Sequence, residues 1–387
     1  MSESTIFEYK KKIKELLSQT RVSLLIGAGC SVCAGLPLMK QLTEMVYHKI
    51  EGYENLQCLD QEAINLISDI KRIYEGIEKA NIEDVLSELQ DIDAILNRQI
   101  SKGIEAPVHY IHTNRYNRQH VQIALNYIKN EISNILSQQT STIRYHKVFC
   151  KALHYNLAHG RDRGKHPINY FILNYDTLFE DALALEGIYF DDGFVGGATA
   201  WWNPKQLISN QIDYGLEARL YKLHGSIDWV RPEGTNFPMR IRKTIPVLET
   251  LVNGEPVVIY PASTKYIETQ NNPYSLMLQK FKEALSQTDN HVLTILGYAF
   301  NDEHINATIY EGLRESQGKL TLLILLGEKD LPSCLSSWQI DDNVNHQILI
   351  CGKNGIWKDG TQVCNSEEDL EWYKFEVICE IIAGGEV

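Results

Sequence analysis

Residues 22–31 read Val-Ser-Leu-Leu-Ile-Gly-Ala-Gly-Cys-Ser, and this stretch decides the fold. Val22 to Ile26 is an apolar run of strand length with no polar alternation, the signature of a strand buried on both faces in a parallel sheet. It breaks at once into Gly27, Ala28 and Gly29. Two glycines let a backbone turn sharply and approach a pyrophosphate. The start of a following helix would offer N–H groups to the anion, and Ser31 would add a hydroxyl. A plain strand-to-helix turn gives the same letters. Val32 stands where G-x-G-x-x-G needs its third glycine, and no acidic residue ends a second strand about 20 residues later, so the hydride-transfer dehydrogenase fingerprint is not met.

Outward from this turn the chain alternates. Ile6, Phe7, Tyr9, Ile13, Leu16 and Leu17 recur at helical spacing before it. After it, from about residue 39 to 165, no strand pattern is visible and helical periodicity dominates. One helix opens at Asn81, an N-cap with Asp84 three residues on, and another runs from about Val121 to Leu136. Strand runs then return at Ile168–Leu173, Arg219–Leu223, Pro256–Ile259, Val292–Leu296 and Leu320–Leu326, mostly with helical patterns between them. From Gln347 a strand, a hairpin and a terminal helix follow. This order predicts an α/β fold: a Rossmann-like, mostly parallel sheet interrupted by a large helical insertion. Residues 1–320 form the main domain, and 321–387 a strand and hairpin extension packed on it.

Composition narrows the function classes. The formal net charge of −13 disfavours nucleic acid as a direct partner. The basic segment Arg240–Lys243 reads as a solvated loop. No apolar run approaches the roughly 20 residues of a membrane span, and the polar N-terminus lacks a signal-peptide pattern, so a cytoplasmic location is expected. Eight cysteines include one C-x-x-C, Cys30 and Cys33, but no second pair for a zinc ribbon; no metal is expected.

Polar groups gather at the strand ends, where parallel sheets bind ligands. Asn174-Tyr175-Asp176 follows one strand; a helix cap can claim Asp176 but not easily both polar residues. His224 follows another, in Leu-His-Gly-Ser, and is either structural or a general base. Gly297-Tyr298-Ala299-Phe300-Asn301-Asp302-Glu303-His304 follows a third, with Asp302 favoured as the cap of the next helix.

Taken in order, G-A-G-x-S, N-x-D, L-H-G and a strand-end glycine resemble the sirtuin family. The N-I-E-D segment (81–84), the N-Y-D form, P-x-S-x-K (261–265) and G-Y-x-F-x-D-x-H-I (297–305) are similar to the sirtuin-like NAD⁺-hydrolase modules of prokaryotic antiphage defence, over roughly residues 20–315. Departures are Leu173 in place of the family's glutamine, Cys30 for an aliphatic residue, Ala299 for a serine, and helices in place of the zinc ribbon. The last of these argues against deacylation.

The resemblance implies an NAD⁺ hydrolase that releases nicotinamide and ADP-ribose. Asn174, His224 and Asp176 would be catalytic, and Gly27, Ala28, Gly29, Ser31, Gly297, Tyr298 and Asp302 would hold the dinucleotide. It further implies a homo-oligomer or an activating partner such as a HerA-type ATPase, since no long sensor is fused to the core. An NAD⁺-dependent deacylase or ADP-ribosyltransferase, and a non-catalytic NAD⁺ or ADP-ribose sensor, are the competing expectations.

Overall fold

A computed structural model describes residues 3–53, 57–77, 80–138, 140–157, 166–208, 215–232, 235, 237–242, 254–258 (backbone) and 273–384. The chain begins with helix α1 (Glu3–Leu17), strand β1 (Val22–Ile26) and a short 3₁₀ turn, Ala28–Ala34. Helices α2 (Met39–Glu51), α3 (Cys58–Ile73), α4 (Ile82–Ser101) and α5 (Arg118–Gln138) make the insertion. Their apolar faces, among them Val46, Ile67, Leu86, Leu89, Ile128 and Ile132, close on one another as a separate core. Asn81 caps α4 in a reciprocal box with Asp84, as the spacing predicts.

One expectation fails inside the insertion: β2 (Val108–Ile111) and β3 (Asn114–Asn117) form a hairpin between α4 and α5. These strands are short and half polar, so they carry no apolar run. Their anchor is a buried polar one: Asp69 of α3 accepts hydrogen bonds from the Tyr116 hydroxyl at 2.6 Å and the Asn114 amide at 2.7 Å.

After α5 come α6 (Arg144–Lys151), β4 (Ile168–Ile172), α7 (Leu178–Leu185), β5 (Phe190–Asp191), β6 (Phe194–Gly196), β7 (Thr199–Trp202), α8 (Pro204–Ile208), β8 (Ala218–Lys222) and β9 (Gly225–Pro232). They are followed by β10 (Met239–Ile241), β11 (Gly254–Val258), α9 (Tyr274–Leu285), β12 (His291–Leu296), α10 (Glu303–Glu315) and β13 (Leu320–Leu326). The chain closes with α11 (Ser333–Ile340), β14 (Ile348–Gly352), β15 (Gly355–Lys358), β16 (Thr361–Asn365) and α12 (Phe375–Ala383). The main sheet runs β16-β15-β14-β13-β12-β1-β4-β8-β5. Only β15 and β16 are antiparallel to their neighbours. β13 pairs with β12 along its length, and β14, β15 and β16 extend the same sheet.

Alternate residues of each strand serve opposite faces. Leu24, Ile26, Tyr170, Ile172 and Leu220 pack under α1, α6, α7 and α12. Leu25, Phe171, Tyr221, Ile295 and Ile324 pack under α9, α10 and α11. Strands β6, β7, β9, β10 and β11 form a second, antiparallel sheet, ordered β11-β9-β10-β7-β6. The run expected at Pro256–Ile259 belongs here rather than to the parallel set, pairing antiparallel with β9 as far as Val258. Arg240 and Arg242 are not a solvated loop. Arg240 pairs with Asp192, and Arg242 with Asp181 at 3.0 Å and Asp228 at 3.2 Å. Among the described residues, no helix is long and apolar enough to cross a membrane.

In the parallel part of the sheet the chain moves from β1 to β4 and β8 on one side, then to β12, β13 and β14 on the other. The crevice of such a sheet opens where the direction reverses, at the carboxyl ends of β1 and β12. Here the backbones cross almost in contact. The Gly29 N–H donates to the Gly297 carbonyl at 2.9 Å, and a Cβ on Gly27 would stand 2.4 Å from that same oxygen. Gly297 has φ +61°, and a Cβ on it would lie 2.5 Å from the Cys30 nitrogen. Beneath the loop, His146 of α6 is fully buried between Phe179 and Phe375. That burial pushes its imidazole down to about 4, against the opposing pull of the Asp176 charge.

Two outcomes follow from this packing. Gly297→Ala is expected to lower stability by about 2 kcal/mol or more, because the three atoms nearest the new methyl are backbone and cannot swing away. Thermal unfolding checks it, and an unchanged midpoint would refute the close crossing. For His146, the unfolded chain takes up a proton at higher pH than the folded one. Stability is therefore lost as pH falls from about 6.5 toward about 4. His146→Leu should flatten the fall of the melting temperature over that window; an identical slope in the variant would exclude His146 as its source.

Candidate active site

Strands β1, β4 and β8 end in step, so their terminal motifs line up side by side. The Leu173 N–H donates to the Ile26 carbonyl and the Leu223 N–H to the Ile172 carbonyl, each at 2.9 Å. Gly27, Asn174 and His224 are the next residues on the three strands.

Between the first two runs a directional hydrogen-bond chain. The Asn174 amide donates to Ser31 Oγ at 2.8 Å, and the Ser31 hydroxyl donates to Asp176 Oδ2 at 2.7 Å. Asp176 Oδ1 accepts the Leu178 N–H at 3.1 Å, so this carboxylate takes the first N–H of α7 from one residue before the N-cap position, Thr177. Asn174 does not cap. Its Oδ1 is buried with no hydrogen-bond partner, a costly arrangement that marks a place for a donor.

The glycine loop differs in detail from its sequence reading. The Gly27 and Gly29 N–H groups donate to the Leu296 and Gly297 carbonyls, and the segment that follows is a seven-residue 3₁₀ turn, not an α-helix. By lacking side chains the two glycines let the loop lie against Gly297, and their N–H groups serve the same crossing. Burial pushes the Cys33 thiol up to about 12 and the Cys30 thiol well above its usual value, which leaves both as thiols at neutral pH.

His224 is held from the far side of the crevice. Its Nε2 lies 3.1 Å from Asp302 Oδ2, although β4 and β1 separate β8 from β12 in the sheet. Asp302 also caps α10, accepting the His304 and Ile305 N–H groups on Oδ1 at 3.0 and 3.2 Å. The Tyr298 hydroxyl oxygen lies 3.1 Å from the Asp302 carbonyl and 2.9 Å from Asn306 Oδ1, which share its one proton. Tyr298 and Asp302, which the sequence assigns to the dinucleotide, also brace the His224 side.

Residues with no assigned role in the sequence reading complete the site. The Tyr175 hydroxyl donates to Glu83 Oε1 at 3.0 Å, which joins the N-Y-D turn to the first turn of α4 in the insertion. Tyr175 and Leu178 are part of the insertion's core. Lys222, 1% exposed, donates to the Asp176 carbonyl and lies 3.5 Å from Glu180 Oε1. Burial pushes the Glu180 carboxyl up, and Lys222 opposes that shift. A lysine inside the apolar run Arg219–Leu223 was the available signal. The P-x-S-x-K segment at 261–265 lies outside the described residues. Among the described residues, no group of three or more His, Cys, Asp and Glu side chains is placed to hold a metal ion.

Solved structures similar to this chain include sirtuins. One, from work on the structural basis of sirtuin substrate affinity, is 12% identical over 81% of this chain and 86% of that one, with a TM-score of 0.37. A histidine-to-asparagine variant of a Sir2 homologue in complex with ADP-ribose is 10% identical over 100% of this chain and 96% of that one, with a TM-score of 0.38. Sir2Tm bound to a propionylated peptide is 11% identical over 81% and 85%, with a TM-score of 0.36. No curated protein matches the chain. In sequence, residues 169–342, from β4 through α11 and so including Asn174, Asp176, His224 and Asp302, match the SIR2-like domain family.

Proposed function

We propose that this chain binds NAD⁺ across the β1–β12 crevice and hydrolyses its nicotinamide–ribose bond. The reading rests on the Asn174–Ser31–Asp176 chain, with its one unsatisfied buried acceptor beside a side-chain-free backbone crossing. Nicotinamide leaves a cationic glycoside as a neutral molecule, through an oxocarbenium-like transition state. The water oxygen bonds to the ribose C1′. The C1′–N bond breaks with its electron pair passing to the pyridinium nitrogen, and His224 takes the water proton. ADP-ribose and nicotinamide result.

Each residue has a part in this scheme. The loop at Gly27 and Gly29 and the facing Gly297 border the pyrophosphate, with Ala28 and Tyr298 beside it, while Ser31 holds Asn174 and Asp176 in place. Asn174 Oδ1 orients a ribose hydroxyl or the attacking water. The carboxylate of Asp176 offsets developing positive charge. Exclusion of bulk water by these buried groups strengthens each electrostatic contribution.

Unchecked NAD⁺ destruction would kill the cell that holds the enzyme. The reading therefore extends to a cytoplasmic defence enzyme held inactive until a separate activator, such as a HerA-type ATPase, or self-assembly releases it.

Incubation with NAD⁺, with nicotinamide and ADP-ribose followed by chromatography, tests the proposal. The unaltered chain, alone or with the product of a neighbouring gene, should yield both. Asn174→Ala and His224→Ala should lose about 10²-fold or more of that rate while still folding. Turnover that depends on an added acyl-lysine peptide would replace hydrolysis with deacylation. Binding without turnover, with every activator tried, would replace it with sensing.

A further inference from the structure

The Asp302–His224 contact carries a consequence for the chemistry of the imidazole. Asp302 sits at the first turn of α10, where the helix dipole and the His304 and Ile305 N–H groups converge on Oδ1. Two backbone N–H donors at a helix start favour the ionised carboxylate, and an ionised carboxylate only accepts hydrogen bonds. Facing that form, the ring nitrogen 3.1 Å from Oδ2 is the one that carries the proton. Both side chains are buried, so water does not compete for the bond.

The approach of Asp302 is itself fixed by the loop before it. Phe300 takes φ +58°, a left-handed conformation unusual for a bulky residue. It is held there by the Asn306 amide, which donates to the Phe300 carbonyl at 2.8 Å. The Tyr298 hydroxyl accepts the Asp302 N–H at 3.2 Å and closes the loop from the other side. Strain retained under this many restraints points to a positioned group.

We infer that Asp302 is a positioning residue for His224: its carboxylate holds the imidazole with the proton on Nε2, which makes Nδ1 the basic nitrogen. The assignment rests on the NAD⁺-cleaving reading for its effect on rate, but not for its effect on the ring. In the hydrolytic step Nδ1 takes the water proton, and the imidazolium so formed is stabilised by Asp302 through Nε2–H. Without the carboxylate, an α10 cap that turns a donor toward Nε2 would place the proton on Nδ1 and remove the base.

Asp302→Asn and Asp302→Ser separate this role from that of the cap, because asparagine and serine both cap helices well. Long-range ¹H–¹⁵N spectra of the full chain with ¹⁵N-labelled histidine, assigned with His224→Gln, report the protonated nitrogen without any turnover. The expected result is Nε2–H in the unaltered protein and Nδ1–H in Asp302→Asn. With NAD⁺, kcat in both Asp302 variants should fall about 100-fold or more, with KM and melting temperature little changed. Nδ1–H in the unaltered protein, or an Asp302→Asn enzyme as fast as the original, would overturn the assignment. If the unaltered chain never turns over NAD⁺ yet the proton still moves in Asp302→Asn, the hydrolase reading fails and the positioning stands.

Discussion

Two backbones meet at the carboxyl ends of β1 and β12 with no side chain between them, and the site is arranged around that meeting. Gly27, Gly29 and Gly297 interlock so closely that a methyl on any of them would strike backbone. Their N–H groups and carbonyls zip the loop to β12 beyond the end of the regular ladder. The crossing fixes the start of the turn that delivers Ser31, and Ser31 in turn receives Asn174 and engages Asp176. On the other strand it fixes Gly297, from which the loop runs to Asp302 and so to His224. Both halves of the polar site are therefore referenced to one rigid contact. This is the usual requirement for groups that must be held to within a fraction of an ångström.

The polar floor under the site obeys a different constraint, the cost of burying charge. Lys222, Glu180 and Asp228 are almost wholly buried where β8 and β9 meet α7. Burial pushes both carboxyls up, while Lys222 and Arg242 work against that shift. Such groups are seldom the cheapest way to stabilise a core, and specificity is the better account of them. Here the specific outcome is visible: the Lys222 ammonium takes the Asp176 carbonyl, which sets the N-Y-D turn on the end of its neighbouring strand.

The sequence disclosed what strong local patterns could encode. Strands buried on both faces are continuous apolar runs, so β1, β4, β12 and β13 were legible. The Asn81 cap and α5 were legible through spacing, and Asn174, Asp176 and His224 through their places at strand ends. The second sheet was not legible, because β6 and β10 have three residues each and a period of two cannot show in so few. The β2–β3 hairpin was lost against a helical background, and Arg240 and Arg242 looked solvated because their acidic partners are supplied by distant segments. The partnership of His224 and Asp302, 78 residues apart, is a product of topology; the local signal at Asp302 was the helix cap, and that was correct as far as it went.

The direction of the hydrogen bonds says what kind of ligand group the site can gain from. Asn174 Nδ2 donates to Ser31, and Ser31 donates to Asp176, so the chain ends on a carboxylate and every hydroxyl proton in it is committed. A phosphate oxygen arriving at Ser31 would have to displace the Asp176 carboxylate, an exchange of one charged acceptor for another with little net gain. Asn174 Oδ1 is different. It is buried and unmatched, so any donor that reaches it relieves a penalty of about 1–3 kcal/mol without breaking a bond. The arrangement therefore favours an incoming N–H or O–H group over an oxyanion at this position. Ribose hydroxyls, a carboxamide and water all supply such a donor, whereas a bare phosphate does not; on the proposed reading it is the sugar end of the dinucleotide, rather than its phosphates, that meets Asn174.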